Sequence, residues 1–494
     1  MNVESLRKIL VVGGGSSGWM TAAYLRKSFP NVEITVIEAS DIPIIGVGES
    51  TNVTMHYFQR FLGIDERSFM RASNGAYKIA IRFENFNRLG AGFYHPFGAP
   101  SASANVNFRP NAQYVHPSYH LAERGHFSDR FSYSYQIDAG LYGQYLKLWS
   151  KQAGVGHIVD RITGATVDAE GCIASVETEK SGGLVADLYI DCSGFRSFLL
   201  EKTLAVPFHS INLELINDRA IAARVPYVSK ADELRVYTKC TALSAGWVWN
   251  IPLWSRIGTG YVYCSSFLTP SEAESEYRKF LGEDRVKDLE FNHLDIKAGR
   301  HEKAWSGNCV AIGISYGFLE PLESTGLSLT QLSIVDLANA LSGSGWASGG
   351  PLASSRETYN KRQAELFDTT KEFIMAHYVL TNREDTEYWN HIRHQVKIPA
   401  GLAEKLEYAK RGSYEPINKL PNKLYHQLNW NLILSGMEHF GRADPDDKIV
   451  TISHSQRHID ALVSRVYSER SDLPETDTGP VEETSQHPTW YPTW

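Results

Sequence analysis

Gly13-Gly14-Gly15-Ser16-Ser17-Gly18 joins the apolar run Ile9-Leu10-Val11-Val12 to a helix-forming stretch beginning near Trp19, and this glycine turn constrains the chain more than any other feature. With G-x-G-x-x-G spacing, Gly13 makes the turn, Gly15 lets a pyrophosphate approach the backbone, and Gly18 lets helix and strand touch. Ser16 and Ser17 open the helix, so their free N–H groups offer an anion site. A second strand follows at Glu33 to Glu38. Glu38 closes it 20 residues after Gly18, where a carboxylate hydrogen-bonds a ribose hydroxyl. Strand, turn, helix, strand and acid in register predict an α/β fold built on a doubly wound, Rossmann-like dinucleotide module.

Later segments extend that module. Tyr77 to Asn85 alternates, with Tyr77, Ile79, Ile81 and Phe83 on one face and Lys78, Ala80, Arg82 and Glu84 on the other, as in a half-buried strand. Residues 87–134 lack sustained period and are expected to form long loops that build a site. Helical spacing returns at Ala139 to Gln152, a hairpin-like segment occupies Gly156 to Tyr189, and strand-like segments fill much of 205–265. Val310 to Ile314 reads as one more strand, before a helix from about Ser324 to Leu341. These features delimit a core at 1–341, mixed in its sheet structure. The composition of 342–350 (SGSGWASGG) marks a flexible linker, 351–469 a mainly helical module covering the substrate, and 470–494 an irregular tail.

Whether the glycine turn serves FAD or NAD is open on these residues alone. Two strand-turns, Asp191-Cys192-Ser193-Gly194 and Val310 to Gly317, favour FAD because they can return the chain to the ribityl and isoalloxazine region. A second nicotinamide fingerprint is absent, since Gly343-Ser344-Gly345 follows a helix and not a strand. Reduced flavin is therefore expected from a separate reductase.

Composition narrows the partners. At 494 residues, with 43% hydrophobic and 21% charged, the chain can bury a large core. A formal charge of −7 without a Lys/Arg cluster argues against nucleic acid. No stretch approaches the roughly 18 uninterrupted apolar residues of a membrane span. Five dispersed cysteines, odd in number and without C-x-x-C spacing, indicate neither a disulfide framework nor a zinc site, and the cytoplasm fits best. A homo-oligomer is compatible with all of this.

Gly246-Trp247-Val248-Trp249-Asn250-Ile251-Pro252 contains W-x-W-x-I-P. With it go Gly13 to Trp19, Gly46-Val47-Gly48-Glu49-Ser50-Thr51, Lys78 within YKIAIRFENF, Asp191 to Phe195, and Glu320-Pro321-Leu322-Glu323-Ser324-Thr325-Gly326. In these motifs, across residues 8 to about 341 and again at Trp430 and Gly436-Met437, the chain resembles the flavin-dependent tryptophan halogenase family. It looks more like the shorter, broad-substrate members than the strict free-tryptophan enzymes.

The resemblance implies that FADH2 and O2 give a flavin hydroperoxide, that chloride, bromide or iodide attacks it, and that the resulting hypohalous acid crosses an internal tunnel to an aromatic substrate. It implies further that Lys78 holds the hypohalous acid or becomes a haloamine, and that Glu323 is the carboxylate at the far end. The chemistry has its own logic: selective attack needs a donor that captures the halogen beside the ring, and the cationic ring then formed needs a carboxylate to stabilise it and accept its proton. Thr325 and Gly326, at a helix start, match the family's halide site. The segment Gly46 to Thr51, with Gly48, Glu49, Ser50 and Thr51, resembles the mobile flavin strap, and its two glycines permit unusual backbone angles. Asp191, Gly317 and Leu322 join the expected cofactor contacts, Trp247 and Trp249 the expected flavin shield, and His95 and Phe97 the expected substrate sandwich.

The region after Arg383 gives no match for the residues that grip the amine and carboxylate of free tryptophan. Indole or another small aromatic is the expected substrate. The alternative is an FAD-dependent aromatic hydroxylase, which shares fold and oxidant but needs its substrate beside the flavin, and a third reading is a flavin carrier without substrate chemistry. Lys78, Glu323 and the W-x-W-x-I-P motif separate the halogenase reading from both.

Overall fold

Ile9 and Val11 face one side of their strand and Leu10 and Val12 the other, and all four are buried in two different apolar clusters. A strand of this kind needs cover on both faces and belongs inside a parallel sheet. In the computed structural model of the chain it does so. The structure describes residues 6–40, 46–97, 112–129, 131–342, 346–347, 350–351, 353–421, 423–442 and 444–451, with positions 453, 457 and 460.

Among the described residues, six strands form the first sheet, in the order Trp305–Ser306, Cys309–Ala311, Leu188–Asp191, Lys8–Val12, Glu33–Glu38, Gly156–Val159. All pairs are parallel except the outermost, Trp305–Ser306 with Cys309–Ala311. The helix Ser16–Ser28 crosses from Lys8–Val12 to Glu33–Glu38, giving the doubly wound start that the glycine turn predicts.

A second sheet of seven strands runs Asn292–Asp295, Arg219–Val225, Ile257–Tyr263, Gly246–Pro252, Tyr237–Ala242, Ala80–Glu84, Gly92–Pro96. It is antiparallel apart from the pairing of Tyr237–Ala242 with Ala80–Glu84. One face of it shares a core with the helices Ala353–Val379, Glu387–His394, Ala400–Lys410 and Gln427–Gly436, which bring Phe373, Trp389, Leu402 and Trp430 onto Ile81, Phe83, Trp247 and Trp249. The helices after residue 351 are thus continuous in packing with the sheet. No described helix is long and apolar enough to cross a membrane.

The structure differs from the sequence reading in three places. The strand expected from Tyr77 to Asn85 is two strands: Ala76–Lys78 pairs with Ser134–Ile137, and Ala80–Glu84 pairs with Tyr237–Ala242. Ile79 is the hand-over, its N–H donating to the carbonyl of Val236 and its carbonyl accepting from Phe97. Both faces are covered, so Lys78 and Ala80 are as buried as Ile79 and Ile81. Secondly, the expected loop region carries the strand Gly92–Pro96 and the helix Pro117–Glu123, which opens with proline at its first turn under a His116 cap; residues 98–111 and 130 lie outside the described residues. Thirdly, within the expected linker, Trp346–Ala347 and Gly350–Pro351 pair antiparallel, while 343–345 and 348–349, like the tail 470–494, lie outside the described residues.

The close approach of helix to strand at Gly18 can be tested directly. A Cβ there would sit 1.9 Å from the carbonyl oxygen of Gly13, and backbone cannot yield as a side chain can. Gly18→Ala is expected to destabilise the protein by about 1–3 kcal/mol, the usual cost of overpacking, read as a lowered midpoint in chemical unfolding.

Candidate active site

A cavity of about 850 Å³ opens where the strand Lys8–Val12 meets the helix Ser16–Ser28. Gly13 reaches the turn with φ of +113°, in the region that favours glycine. A Cβ on Gly15 would meet nothing within 4 Å, so this residue presents bare backbone to the cavity it lines. The helix itself has no side-chain cap, which leaves its first N–H groups for an anion. Glu38 lines the same cavity and is held by Lys147 at 2.5 Å and His157 at 2.8 Å. Open glycine backbone, an uncapped helix and a positioned carboxylate fit the pyrophosphate and ribose of FAD.

The expected cofactor residues divide. Gly13, Gly15, Ser16, Ser17, Glu38, Glu49 and Gly317 line the cavity, as does Gly326, whereas Gly18, Gly48, Ser50, Thr51, Asp191, Leu322 and Thr325 do not. Asp191 braces the turn from within: one oxygen accepts from the N–H and hydroxyl of Ser193, the other from the N–H groups of Leu199 and Leu200. Leu322 packs in the apolar core with Trp249. In the strap, Gly48 takes a φ of +134° and Gly46 needs no such angle. Arg224 and Arg256 bind the Gly46 carbonyl, Arg256 binds that of Val47, and Glu49–Ser50 pairs with Ser134–Ile137.

Glu49 faces the cavity with its carboxyl pushed up to about 7 by burial. At the expected halide site, Thr325 is fully buried with its hydroxyl unpartnered among the described residues, and the helix Thr325–Leu341 has no side-chain cap. An anion there would satisfy both.

From the cavity, the chain runs through Gly317–Phe318 and the turn Pro321–Glu323 to a second polar cluster. Lys78 is 0% exposed. Its Nζ donates to the Ser324 hydroxyl at 2.8 Å and the Thr51 carbonyl at 3.1 Å, and lies 4.6 Å from the Phe97 ring. Burial lowers its pKa to about 7, against the opposing pull of the Glu323 carboxylate and Cys240. Glu323 is 1% exposed and held by His95 Nδ1 at 2.8 and 3.0 Å and by His377 Nε2 at 2.8 Å. Burial alone would raise its pKa, but the imidazole hydrogen bonds of His95 and His377 hold it below the ordinary carboxylate range. The structure therefore keeps a fully buried amine on uncharged oxygens and, in the same cluster, a buried carboxylate held by two imidazoles.

His95 belongs to this cluster through Glu323, and Phe97 through Lys78. Trp247 and Trp249 lie 6.1 Å apart between ring centroids, in one apolar cluster with Leu319 and Leu322, along the stretch connecting the cavity to Glu323. They do not line the cavity. Strand alternation puts both indoles on the core face, where packing claims them.

Four contributors were not singled out in the sequence: His377, which binds Glu323; Asn429, which binds His95; Tyr425, whose hydroxyl donates to the Glu323 carbonyl; and Asn52, whose amide reaches the carbonyls of Glu323 and Ser324. Each comes from a segment remote in sequence from its partner and none forms a local motif.

A family model described as tryptophan halogenase matches residues 8–446. The tryptophan 6-halogenase SttH of Streptomyces toxytricini is 36% identical over 469 residues, spanning 87% of this chain and 88% of that protein. Its crystal structure aligns with a TM-score of 0.82 at 32% identity, covering 95% of this chain and 98% of that one. The tryptophan 7-halogenase RebH of Lentzea aerocolonigenes is 31% identical over 95% of this chain and 96% of its own. BrvH, a flavin-dependent halogenase from Brevundimonas sp. BAL3, aligns with a TM-score of 0.80 at 28% identity over 95% of this chain and 98% of its own.

The open space at Gly15 separates binding from stability. Gly15→Ala is expected to leave the unfolding midpoint nearly unchanged and to weaken FAD binding by at least about tenfold, the loss of roughly one charge-assisted hydrogen bond. Flavin fluorescence titration measures the second quantity.

Proposed function

The chain belongs to the tryptophan halogenase family, and from that premise we propose that Lys78 takes up halogen from hypohalous acid and delivers it to an electron-rich aromatic such as indole, with Glu323 facing the ring. The observation that carries this reading is the fully buried Lys78 amine resting on the Thr51 carbonyl and on the hydroxyl of Ser324, the residue after a buried Glu323 held by His95 and His377.

The enzyme is a flavin-dependent halogenase. Reduced FAD, when bound in the cavity, would supply hypohalous acid, with oxygen and halide as the other reactants. The FAD would be held by the Gly13–Gly15 backbone, the first turn of the helix Ser16–Ser28, and Glu38. Halide fits the uncapped helix start at Thr325 and Gly326, where the Thr325 hydroxyl lacks a partner among the described residues. A separate reductase is the proposed source of reduced flavin, since the chain has a single dinucleotide fingerprint.

At Lys78 an uncharged amine has the lone pair that halogen capture requires. The N–halogen bond forms as the O–halogen bond breaks, and an amine proton leaves with the hydroxide as water. Electrophilic attack on the ring then forms carbon–halogen, returns the N–halogen electron pair to nitrogen, and leaves a cationic ring. Glu323 stabilises that cation and accepts the ring proton in passing, because a carboxylate held below its ordinary range does not retain it. The proton ends on the Lys78 nitrogen. Keeping these groups buried confines a reactive oxidant to one site. Direct hydroxylation would instead need the substrate in the flavin cavity, whose wall includes neither Lys78 nor Glu323.

With FADH2, O2, bromide and indole, bromoindole is the expected product, and hydroxyindole alone would defeat the reading. The amine fraction of Lys78 grows as pH rises through about 7. The halogenation rate should therefore rise between pH 6 and 8. Lys78→Ala should lower the rate at least about a hundredfold, and Lys78→Arg, which keeps the charge but not the lone pair, should fall as far.

A further inference from the structure

The hydrogen bonds around Glu323 fix the protons on its two imidazoles. The backbone N–H of His426 donates to Asn429 Oδ1 at 2.9 Å, which turns the amide nitrogen of Asn429 toward His95 Nε2 at 3.0 Å. An amide nitrogen can only donate. His95 Nε2 must then carry the lone pair and Nδ1 the hydrogen, so His95 is neutral and donates to Glu323.

His377 stands differently. Its Nδ1 is 3.0 Å from the carbonyl oxygen of Phe373, and its Nε2 is 2.8 Å from Glu323 Oε1. A carbonyl accepts only, and so does an ionised carboxylate, so both ring nitrogens carry hydrogen and the ring is an imidazolium. His377 is 0% exposed, and Phe83 and Phe373 pack around its ring, leaving Glu323 as its direct counter-ion.

Lys78 has no carboxylate within ion-pair distance among the described residues; its direct hydrogen-bond partners are the Ser324 hydroxyl and the Thr51 carbonyl, both uncharged. We infer that His377, and not Lys78, is the counter-ion of Glu323, a positioning residue whose proton neutralises the buried carboxylate and so leaves Lys78 an uncharged amine with its lone pair free for halogen. This rests on the reading of Lys78 as the halogen carrier.

The other ionisable groups facing the cluster agree with this charge pattern. Burial keeps the Cys240 thiol and the Tyr425 phenol protonated. Glu320, bound by Tyr378 and Asn217 and pushed up by burial to about 6, is ionised at neutral pH and favours the charged form of His377.

The test is a titration of the Lys78 amine by nitrogen NMR in flavin-free protein labelled at lysine Nζ, with the signal assigned by its loss in Lys78→Arg. In the unsubstituted protein the midpoint should lie at about 7. His377→Gln removes the proton that neutralises Glu323, and the Lys78 midpoint should rise by at least about one unit, the shift one nearby opposite charge produces. Glu323→Gln removes the carboxylate and with it the counter-ion that keeps the buried His377 protonated, so the ring sheds its proton, the summed charge is unchanged, and the midpoint should move by less than about half a unit.

A fall of about one unit or more in Glu323→Gln, or an unmoved midpoint in a folded His377→Gln, overturns the assignment. The Glu323→Gln arm decides alone where His377→Gln does not fold. The rising limb of the halogenation rate should move up with the midpoint in His377→Gln, a displacement that a purely structural defect would not cause. Because the titration needs no turnover, an unsubstituted enzyme that makes no halogenated product counts against the proposed function and not against the proton assignment.

Discussion

The Ser324 hydroxyl joins the parts of the molecule that must cooperate. It accepts from Lys78 Nζ and donates to the Ser50 hydroxyl, each at 2.8 Å, and Ser50 continues to Thr238 at 2.6 Å. One side chain thereby connects the strand bearing the lysine, the strap beside the cavity and the start of the helix Thr325–Leu341. Ser324 has φ of +59°, a left-handed conformation that costs a non-glycine residue roughly 1 kcal/mol. Its hydroxyl bonds and the Asn52 amide on its carbonyl hold it there. The same conformation ends the turn Pro321–Glu323 and starts the helix, so Glu323 and Thr325 leave Ser324 in different directions, one toward the imidazoles and one toward the halide position.

A buried amine and a buried carboxylate would ordinarily neutralise one another, and that pairing would lock the lysine as an ammonium. Here the pairs are arranged otherwise. Glu323 is satisfied by His95 and His377, while Lys78 rests on neutral oxygens and an aromatic face. Desolvation then acts on the lysine with little to oppose it. Removing charges from water costs several kcal/mol per ion, and the protein places that cost where it leaves a usable lone pair.

Much of the cavity was legible in the sequence because local geometry dictates it. A strand, a turn needing positive φ at Gly13 and a helix packed through Gly18 are successive in the chain, and Glu38 follows at the end of the next strand. The second cluster was legible only through Lys78, Glu323, His95 and Phe97, on motif resemblance. His377 lies one turn beyond Phe373 in a long helix whose spacing reports packing, and nothing local marks its Nε2 as facing Glu323. The break at Ile79 was invisible for a related reason: no glycine or proline interrupts YKIAIRF, and partner strands distant in sequence impose the hand-over. Trp247 and Trp249 were read as a flavin wall on resemblance, and the structure buries both indoles in the core cluster that holds Leu319 and Leu322.

Helix starts show how stability and binding are traded. Helices that begin after Asp65, Asp138, Thr269 and Thr386 are closed by a side-chain oxygen on their first turn. Those at Ser16–Ser28 and Thr325–Leu341 are not, and residues of their first turns line the cavity. A side-chain cap contributes about 1 kcal/mol, so leaving both ends open is a cost unless an anion takes the place of the cap. The two ends suit different anions. Gly15 gives the first a bare backbone that a bulky diphosphate can approach, whereas Thr325 gives the second a buried hydroxyl suited to a small ion. Residues of both openings line the same space, so under the proposed function the cofactor and the halide would meet there, and the amine proposed to receive their product would be reached through the short turn ending at Ser324.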